Sequence, residues 1–181
     1  MFSWFKKRPP EPEDAPPVAT DTSPQGVYSK LRQSALTVDR SRVGIPPSSP
    51  DAPVWGVLME MGYDKATITL FTLIDGTTSL YFSNGGGVIG GHGHEPVCEA
   101  NAAFIAEANR SLSLLKPGTS TSIPTTNQAI FYALTDDGYL TGTGQLAELG
   151  SGRHPLARLF HAGDDVLTQL RLLSEGQQAA G

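Results

Sequence analysis

A run of glycines between two contrasting segments most constrains how this chain can fold. Six of the eleven residues from Asn84 to His94 are glycine. A segment of alternating apolar and polar residues precedes the run, and an alanine-rich segment with helical spacing follows it. Glycine tolerates positive φ and costs entropy to order, so this density needs a physical reason. We expect the reason to be geometric: the chain must leave a strand and bend sharply into a helix.

The same run also supports a functional hypothesis. Backbone N–H groups that have no side chains around them can line an anion site at a helix N-terminus. The candidate ligand-binding residues are Gly85, Gly86, Gly87, Gly90, Gly91, His92 and His94. The letters from Gly85 to Gly90 match G-x-G-x-x-G, but hairpin-like strands precede them and no P-loop lysine follows. A small-ligand or anion-binding domain is therefore an alternative function, and a dinucleotide fold is not predicted.

The end of the run contains residue types that bind metals. Two alternating histidines in a glycine loop can face one ion, so the candidate metal ligands are His92, His94 and Glu95, with His161 as a distant addition. Cys98 follows His94 by four residues, and a helix N-terminus and an imidazole both favour a reactive thiolate. A metal-dependent or thiol enzyme is a second alternative. Free cysteines, however, are usually small buried residues. We predict no catalytic residue and no cofactor.

The remaining patterns predict an α+β fold. Asp75-Gly76 and Asp136-Asp137-Gly138 each separate two strand-like segments, which indicates hairpins. Helical spacing predicts one helix over 24–36 and another after Pro96, and Gly163 is expected to interrupt the last helical region. The order is α-β-β-β-α-β-β-α. It predicts a two-layer domain with an antiparallel sheet of about five strands and helices packed mainly on one face.

The first helix carries a short apolar stripe, which we expect to contact the main domain. Val27, Tyr28 and Leu31 belong to this stripe, whereas Lys30 and Arg32 are expected to point away from it. The sequence then predicts four regions in the chain. They are an aromatic and basic, then proline- and acid-rich arm at 1–22, a helix and proline-rich linker at 23–53, a compact α+β domain at 54–175, and a flexible tail at 176–181.

The arm at the start of the chain is a candidate interaction segment. Its aromatic and cationic residues are Phe2, Trp4, Phe5, Lys6, Lys7 and Arg8. Such a segment can dock on a protein or touch an anionic membrane surface weakly, and the prolines after it favour an extended linker. A disordered start without a role is the simpler alternative.

Charge and cysteine content limit the class of function. The net charge of -5 argues against a nucleic-acid binder. A single cysteine excludes an intramolecular disulfide and favours a reducing compartment, and no apolar run is long enough for a membrane span. We predict a cytoplasmic protein, with a peripheral position at the inner face of a membrane as an alternative. The predicted function is a non-enzymatic protein-interaction or scaffold module, whose partner is another protein or a further copy of the chain.

Overall fold

Seven strands form one antiparallel sheet in the computed structural model, which describes residues 21–179. The strands are β1 (Gly56–Gly62), β2 (Thr67–Leu73), β3 (Thr78–Phe82), β4 (Gly87–Ile89), β5 (Lys116–Pro117), β6 (Gln128–Thr135) and β7 (Gly138–Gln145). The helices are α1 (Pro24–Leu36), α2 (Glu95–Arg110), α3 (Leu146–Gly150) and α4 (Ala157–Ala179), with single 3₁₀ turns at Gly91–Gly93 and Leu112–Leu114. Residues 1–20, which hold most of the predicted arm, lie outside the described residues.

The predicted α+β class and antiparallel sheet are confirmed, and the sheet has seven strands instead of about five. Its order is β4-β3-β2-β1-β6-β7-β5, so β1 lies at the centre and α2 connects the two edges. The additional strands are β4, which lies inside the glycine run, and β5, which has two residues. Both are too short to show the period of two that identifies a strand in a sequence.

Each face of the sheet has its own apolar core. Helices α2 and α4 pack on one face, where Met59, Phe104 and Leu170 are fully buried. Helix α1 and the chain that follows it cover the other face, where Tyr28 and Tyr132 are buried. Because strand residues alternate between faces, β1 contributes Met59 to the first core and Leu58 to the second.

Helix α4 is continuous through Gly163, so the predicted break at this residue is wrong. A β-carbon at Gly163 would lie 2.7 Å from the Met59 methyl carbon and 3.2 Å from the Phe104 ring. The missing side chain therefore lets α4 lie close to β1 and α2. Close packing accounts for this glycine, although glycine usually disfavours a helix interior.

Candidate functional site

The glycine run folds into a tight turn, the short strand β4 and a 3₁₀ turn before α2. Gly85, Gly86 and Gly90 adopt φ values of 108°, 85° and 93°. Residues with a β-carbon rarely adopt these values, so the turns on both sides of β4 require glycine. The run thus reverses the chain between β3 and β4 and turns it again between β4 and α2.

Two more glycines of the run allow close approach of neighbouring chain segments. A β-carbon at Gly87 would collide with the Leu80 carbonyl oxygen on β3. At Gly91 it would lie 2.9 Å from Val97 and 3.1 Å from Leu170, at the junction of α2 and α4. Backbone geometry and packing therefore account for five of the six glycines without a ligand.

Few free hydrogen-bond donors are available to an anion at the N-terminus of α2. Pro96 has no N–H, and the Val97 and Cys98 amides both donate to the His94 carbonyl oxygen at 3.0 Å. An anion there would find the first-turn amide of Glu95 beside that residue's own carboxylate, which repels it. The anion hypothesis stays a prediction, and these contacts do not favour it.

The histidine, glutamate and cysteine candidates lie where the 3₁₀ turn enters α2. His94 and Cys98 are half-buried and Glu95 is exposed. Among the side chains that the structure describes, no group of three or more His, Cys, Asp or Glu is arranged to hold a metal ion. The metal site on His92, His94 and Glu95 and the thiol chemistry of Cys98 both stay predictions.

A groove of about 400 Å³ runs along α2 and is lined mostly by apolar atoms. Asn101 and Asn109 form part of its wall and attach the helix to the end of β2 and to the chain just before β1. The Asn101 Nδ2 donates to the Leu73 carbonyl at 3.0 Å, and the Asn109 Oδ1 accepts from the Val54 N–H at 3.0 Å. The Asn101 Oδ1 is buried and has no hydrogen-bond partner in the part of the chain that the structure describes. Ile74 lines the groove and is exposed.

The most extensive polar cluster is buried beneath α1. The Arg32 guanidinium donates two parallel hydrogen bonds of 2.7 Å to the Glu60 carboxylate on the central strand. Its Nη2 also donates to the carbonyl oxygens of Thr121 and Ser122 at 2.9 and 3.0 Å. Glu60 is fully buried and Arg32 is 7% exposed, so the prediction that Arg32 points away from the domain is wrong.

Hydroxyl groups extend this cluster, which we call the Arg32–Glu60 network. The Thr69 hydroxyl donates to the Glu60 Oε1 at 2.9 Å. Because its single proton is used there, Thr69 accepts the hydrogen bond that joins it to the Tyr28 hydroxyl at 2.9 Å. The Tyr132 hydroxyl donates to the Ser122 carbonyl at 2.8 Å. The network links α1, β1, β2, β6 and the loop before β6.

Burial of this network perturbs its phenols. Burial raises the pKa of Tyr132 to about 12, and the nearby Glu60 charge adds to the effect. The pKa of Tyr28 is also raised, again mainly by burial. Both shifts favour the neutral phenol, which is the form that donates a hydrogen bond in the fold.

We expect the Tyr132 shift to make the protein less stable in alkali. An unfolded tyrosine ionises near pH 10, so stability from the raised pKa is complete below about pH 10 and is lost as the pH rises towards 12. Tyr132→Phe removes this titration, so its free energy of unfolding should fall less steeply above pH 10. Urea unfolding at a series of pH values measures the slope. Equal slopes for Tyr132→Phe and the unmodified protein would contradict the expectation.

The two edges of the sheet differ in chemistry. At one edge, β5 consists of Lys116 and Pro117 and pairs with Thr141 and Leu140 of β7, where a cation and a proline both discourage a further strand. At the other, β4 carries Ile89, which is 73% exposed. The stretch from Gly76 to His94, which contains β3 and β4, has no Asp, Glu, Lys or Arg. The β4 edge therefore lacks the charge and proline that usually protect an edge strand.

The hydrogen-bond pattern of β4 shows which backbone groups face outward. Gly87 and Ile89 lie opposite Tyr81 and Ser79 on β3. The Phe82 N–H donates to the Gly86 carbonyl at 3.2 Å, and bonding to the neighbour alternates along an antiparallel pair. Gly86 and Val88 therefore bond to β3, and the N–H and C=O groups of Gly87 and Ile89 point to the side on which residues 21–179 place no further strand.

No family model, curated protein or solved structure matches this chain. Across residues 21–179, the helices are too short or too polar to span a bilayer. The features of the chain itself therefore carry the functional argument.

Sequence reasoning identified the glycine run but missed the exposed edge within it and the network under α1. One signal for the edge was present, because Val88-Ile89 is an apolar pair inside a glycine-rich, uncharged stretch. A signal for the network was also present, since Glu60 is the one charged residue of an otherwise apolar strand. Its partner Arg32 lies 28 residues away, and no local spacing connects the two.

Proposed function

We propose that this protein is a non-enzymatic interaction module that binds an extended segment of a partner protein along the outer edge of β4, which no other strand of residues 21–179 covers. The composition and exposure of β4 carry the proposal, because this edge strand is uncharged, lacks proline and carries the exposed Ile89. A long-lived exposed edge of this kind favours aggregation unless a partner covers it.

The chemistry of this edge suits the addition of a strand. The outward N–H and C=O groups of Gly87 and Ile89 supply backbone hydrogen bonds that do not depend on the partner's sequence. The exposed Ile89 side chain supplies an apolar contact on one face of the sheet. Backbone pairing gives affinity, and the side-chain contact selects an apolar residue in the partner strand.

The N-terminal arm is a second contact in this proposal. Its aromatic and basic residues, Phe2 to Arg8, tether the module to the same partner or to an anionic surface. They lie outside the described residues, so the β4 edge alone is the basis of the proposal.

Site-specific crosslinking tests the proposal. A photoreactive residue at the exposed Asn84, beside β4, should crosslink the full-length chain to its partner in the source cell. Ile89→Lys should reduce the product by about tenfold, because an apolar contact worth roughly 1.4 kcal/mol is replaced by a charge. Peptide mapping of the product should place the crosslink in an extended, apolar segment of the partner.

Ile123→Lys is the matched control. Ile123 is 56% exposed and lies in the loop before β6, away from the β4 edge, so its replacement tests the general effect of an added surface lysine. The control should leave the crosslinked product unchanged. A product that survives Ile89→Lys, or that both variants reduce equally, would contradict binding at β4.

A further inference from the structure

We infer that the partner strand at this edge is β4 of a second copy of the same chain. The inference rests on the proposed function of the β4 edge and names the partner there. An antiparallel strand edge is self-complementary, because a two-fold axis brings it against its own copy with every donor facing an acceptor.

The outward backbone groups define the register. A two-fold axis through Val88 places Gly87 of one copy opposite Ile89 of the other, and the reverse. Gly87 and Ile89 are the residues whose N–H and C=O groups face away from β3. This register therefore makes two hydrogen-bonded pairs, with four N–H···O=C bonds, and uses the whole of β4.

The same register brings together complementary side-chain shapes. Ile89 and Gly87 project on the same face of the sheet, because they are two residues apart on one strand. In the two-fold pair, each exposed Ile89 side chain lies over the Gly87 of the other copy, where no side chain obstructs it. Each Ile89 therefore lies opposite a glycine, so the two copies can approach to the normal strand spacing.

Charge also favours contact at this edge. Each copy carries a net charge of -5, so two copies repel each other in most relative orientations. The stretch from Gly76 to His94 contains none of these charges, so the paired strands themselves bring no like charges together. A two-fold contact at the β5 edge would instead bring the charged Lys116 of one copy close to Lys116 of the other.

The size of the contact sets the expected strength. β4 has three residues, so pairing buries far less than the roughly 1,200–2,000 Å² of a standard interface. The dimer should therefore be weak and concentration-dependent, with one sheet of fourteen strands formed from the seven of each copy.

Sedimentation velocity of the full-length chain over a wide concentration range tests this inference. The weight-average mass should rise from the 19.2 kDa of one chain towards twice that value. Ile89→Lys and Ile89→Asp should each keep the protein monomeric, because the two charges at position 89 lie diagonally across the axis within reach of each other. An equimolar mixture of the two variants should regain the dimer, and Ile123→Lys should dimerise like the unmodified chain.

Three results would overturn the inference. They are a mass that stays at one chain at all concentrations, a dimer that persists in both Ile89 variants, and a mixture that fails to regain it. The first result, combined with a different protein crosslinked beside β4 and lost in Ile89→Lys, would retain the proposed function and reject the second copy as partner.

Discussion

Replacing Arg32 with methionine is expected to lower the free energy of unfolding by about 3–5 kcal/mol. The substitution removes the two 2.7 Å hydrogen bonds to the Glu60 carboxylate and leaves a charged group at a fully buried position. Thr69 still donates to Glu60, but one neutral hydroxyl cannot balance the lost charge. The carbonyls of Thr121 and Ser122 also lose a donor. Urea unfolding at neutral pH measures the loss.

A second substitution separates the charge effect from the packing effect. Arg32→Met combined with Glu60→Leu removes both charges and keeps side chains of similar volume, so it should recover most of the lost stability. The double-mutant cycle then gives a large coupling energy between the two positions. A double variant as unstable as Arg32→Met alone would contradict the explanation.

A surface ion pair provides the control for this prediction. Arg40 bonds to Asp136 at 3.0 Å, but both side chains are partly exposed. Arg40→Met should therefore cost about 0–1 kcal/mol. Equal losses for Arg32→Met and Arg40→Met would mean that the burial of Glu60 does not determine the cost.

The Arg32–Glu60 network also explains why α1 belongs to the folded unit. Helix α1 has four buried side chains, and Arg32 is the one that reaches the central strand with charged hydrogen bonds. Its two bonds to the 121–122 carbonyls hold the loop before β6 against the same face of the sheet. Helix, strand and loop thus meet at one guanidinium, and loss of that group loosens all three.

Local signals in the sequence were sufficient for the elements that local chemistry defines. The Ser23 hydroxyl accepts from the Gly26 N–H, and Pro24 occupies the first turn, so the start of α1 follows from a cap and a proline. Asp75-Gly76 forms the β2–β3 turn, and the Asp75 carboxylate accepts from the Thr77 N–H. These contacts span two or three residues, which is the range that a sequence pattern reports.

Contacts between distant segments could not be predicted in the same way. Arg32 looked like a solvent-facing residue because its partner lies on a strand 28 residues later. Gly163 looked like a helix break because the close approach of Met59 and Phe104 cannot be seen in the local sequence. At the candidate site, the glycine run was recognised, but the exposure of Ile89 depends on β4 being an edge, which the order of all seven strands determines.

Replacing Gly62 with alanine is expected to cost about 1–3 kcal/mol, which is the usual range for overpacking a site that cannot relax. Gly62 ends β1, and the chain at 124–127 passes directly over it: the Asn127 N–H donates to the Gly62 carbonyl at 2.8 Å. A β-carbon at Gly62 would collide with the Thr125 carbonyl oxygen and lie 2.7 Å from its carbon. These atoms are backbone, so the whole loop must move, and it carries the carbonyls that bond to Arg32.

Gly150→Ala is the matched control, because Gly150 is exposed at the end of α3 and an added β-carbon would meet no atom within 4 Å beyond its chain neighbours and its own helix backbone. The same chemical change should there stabilise the protein by up to about 0.5–1 kcal/mol, since alanine restricts the unfolded chain more than glycine does. The midpoints of thermal and urea unfolding should therefore fall for Gly62→Ala and rise for Gly150→Ala. If the collision acts through the loop, Gly62→Ala should cost less in an Arg32→Met background, where the loop no longer bonds to the guanidinium. If the free-energy losses of Gly62→Ala and Arg32→Met are additive, the strain lies at the end of β1 alone and not in the loop.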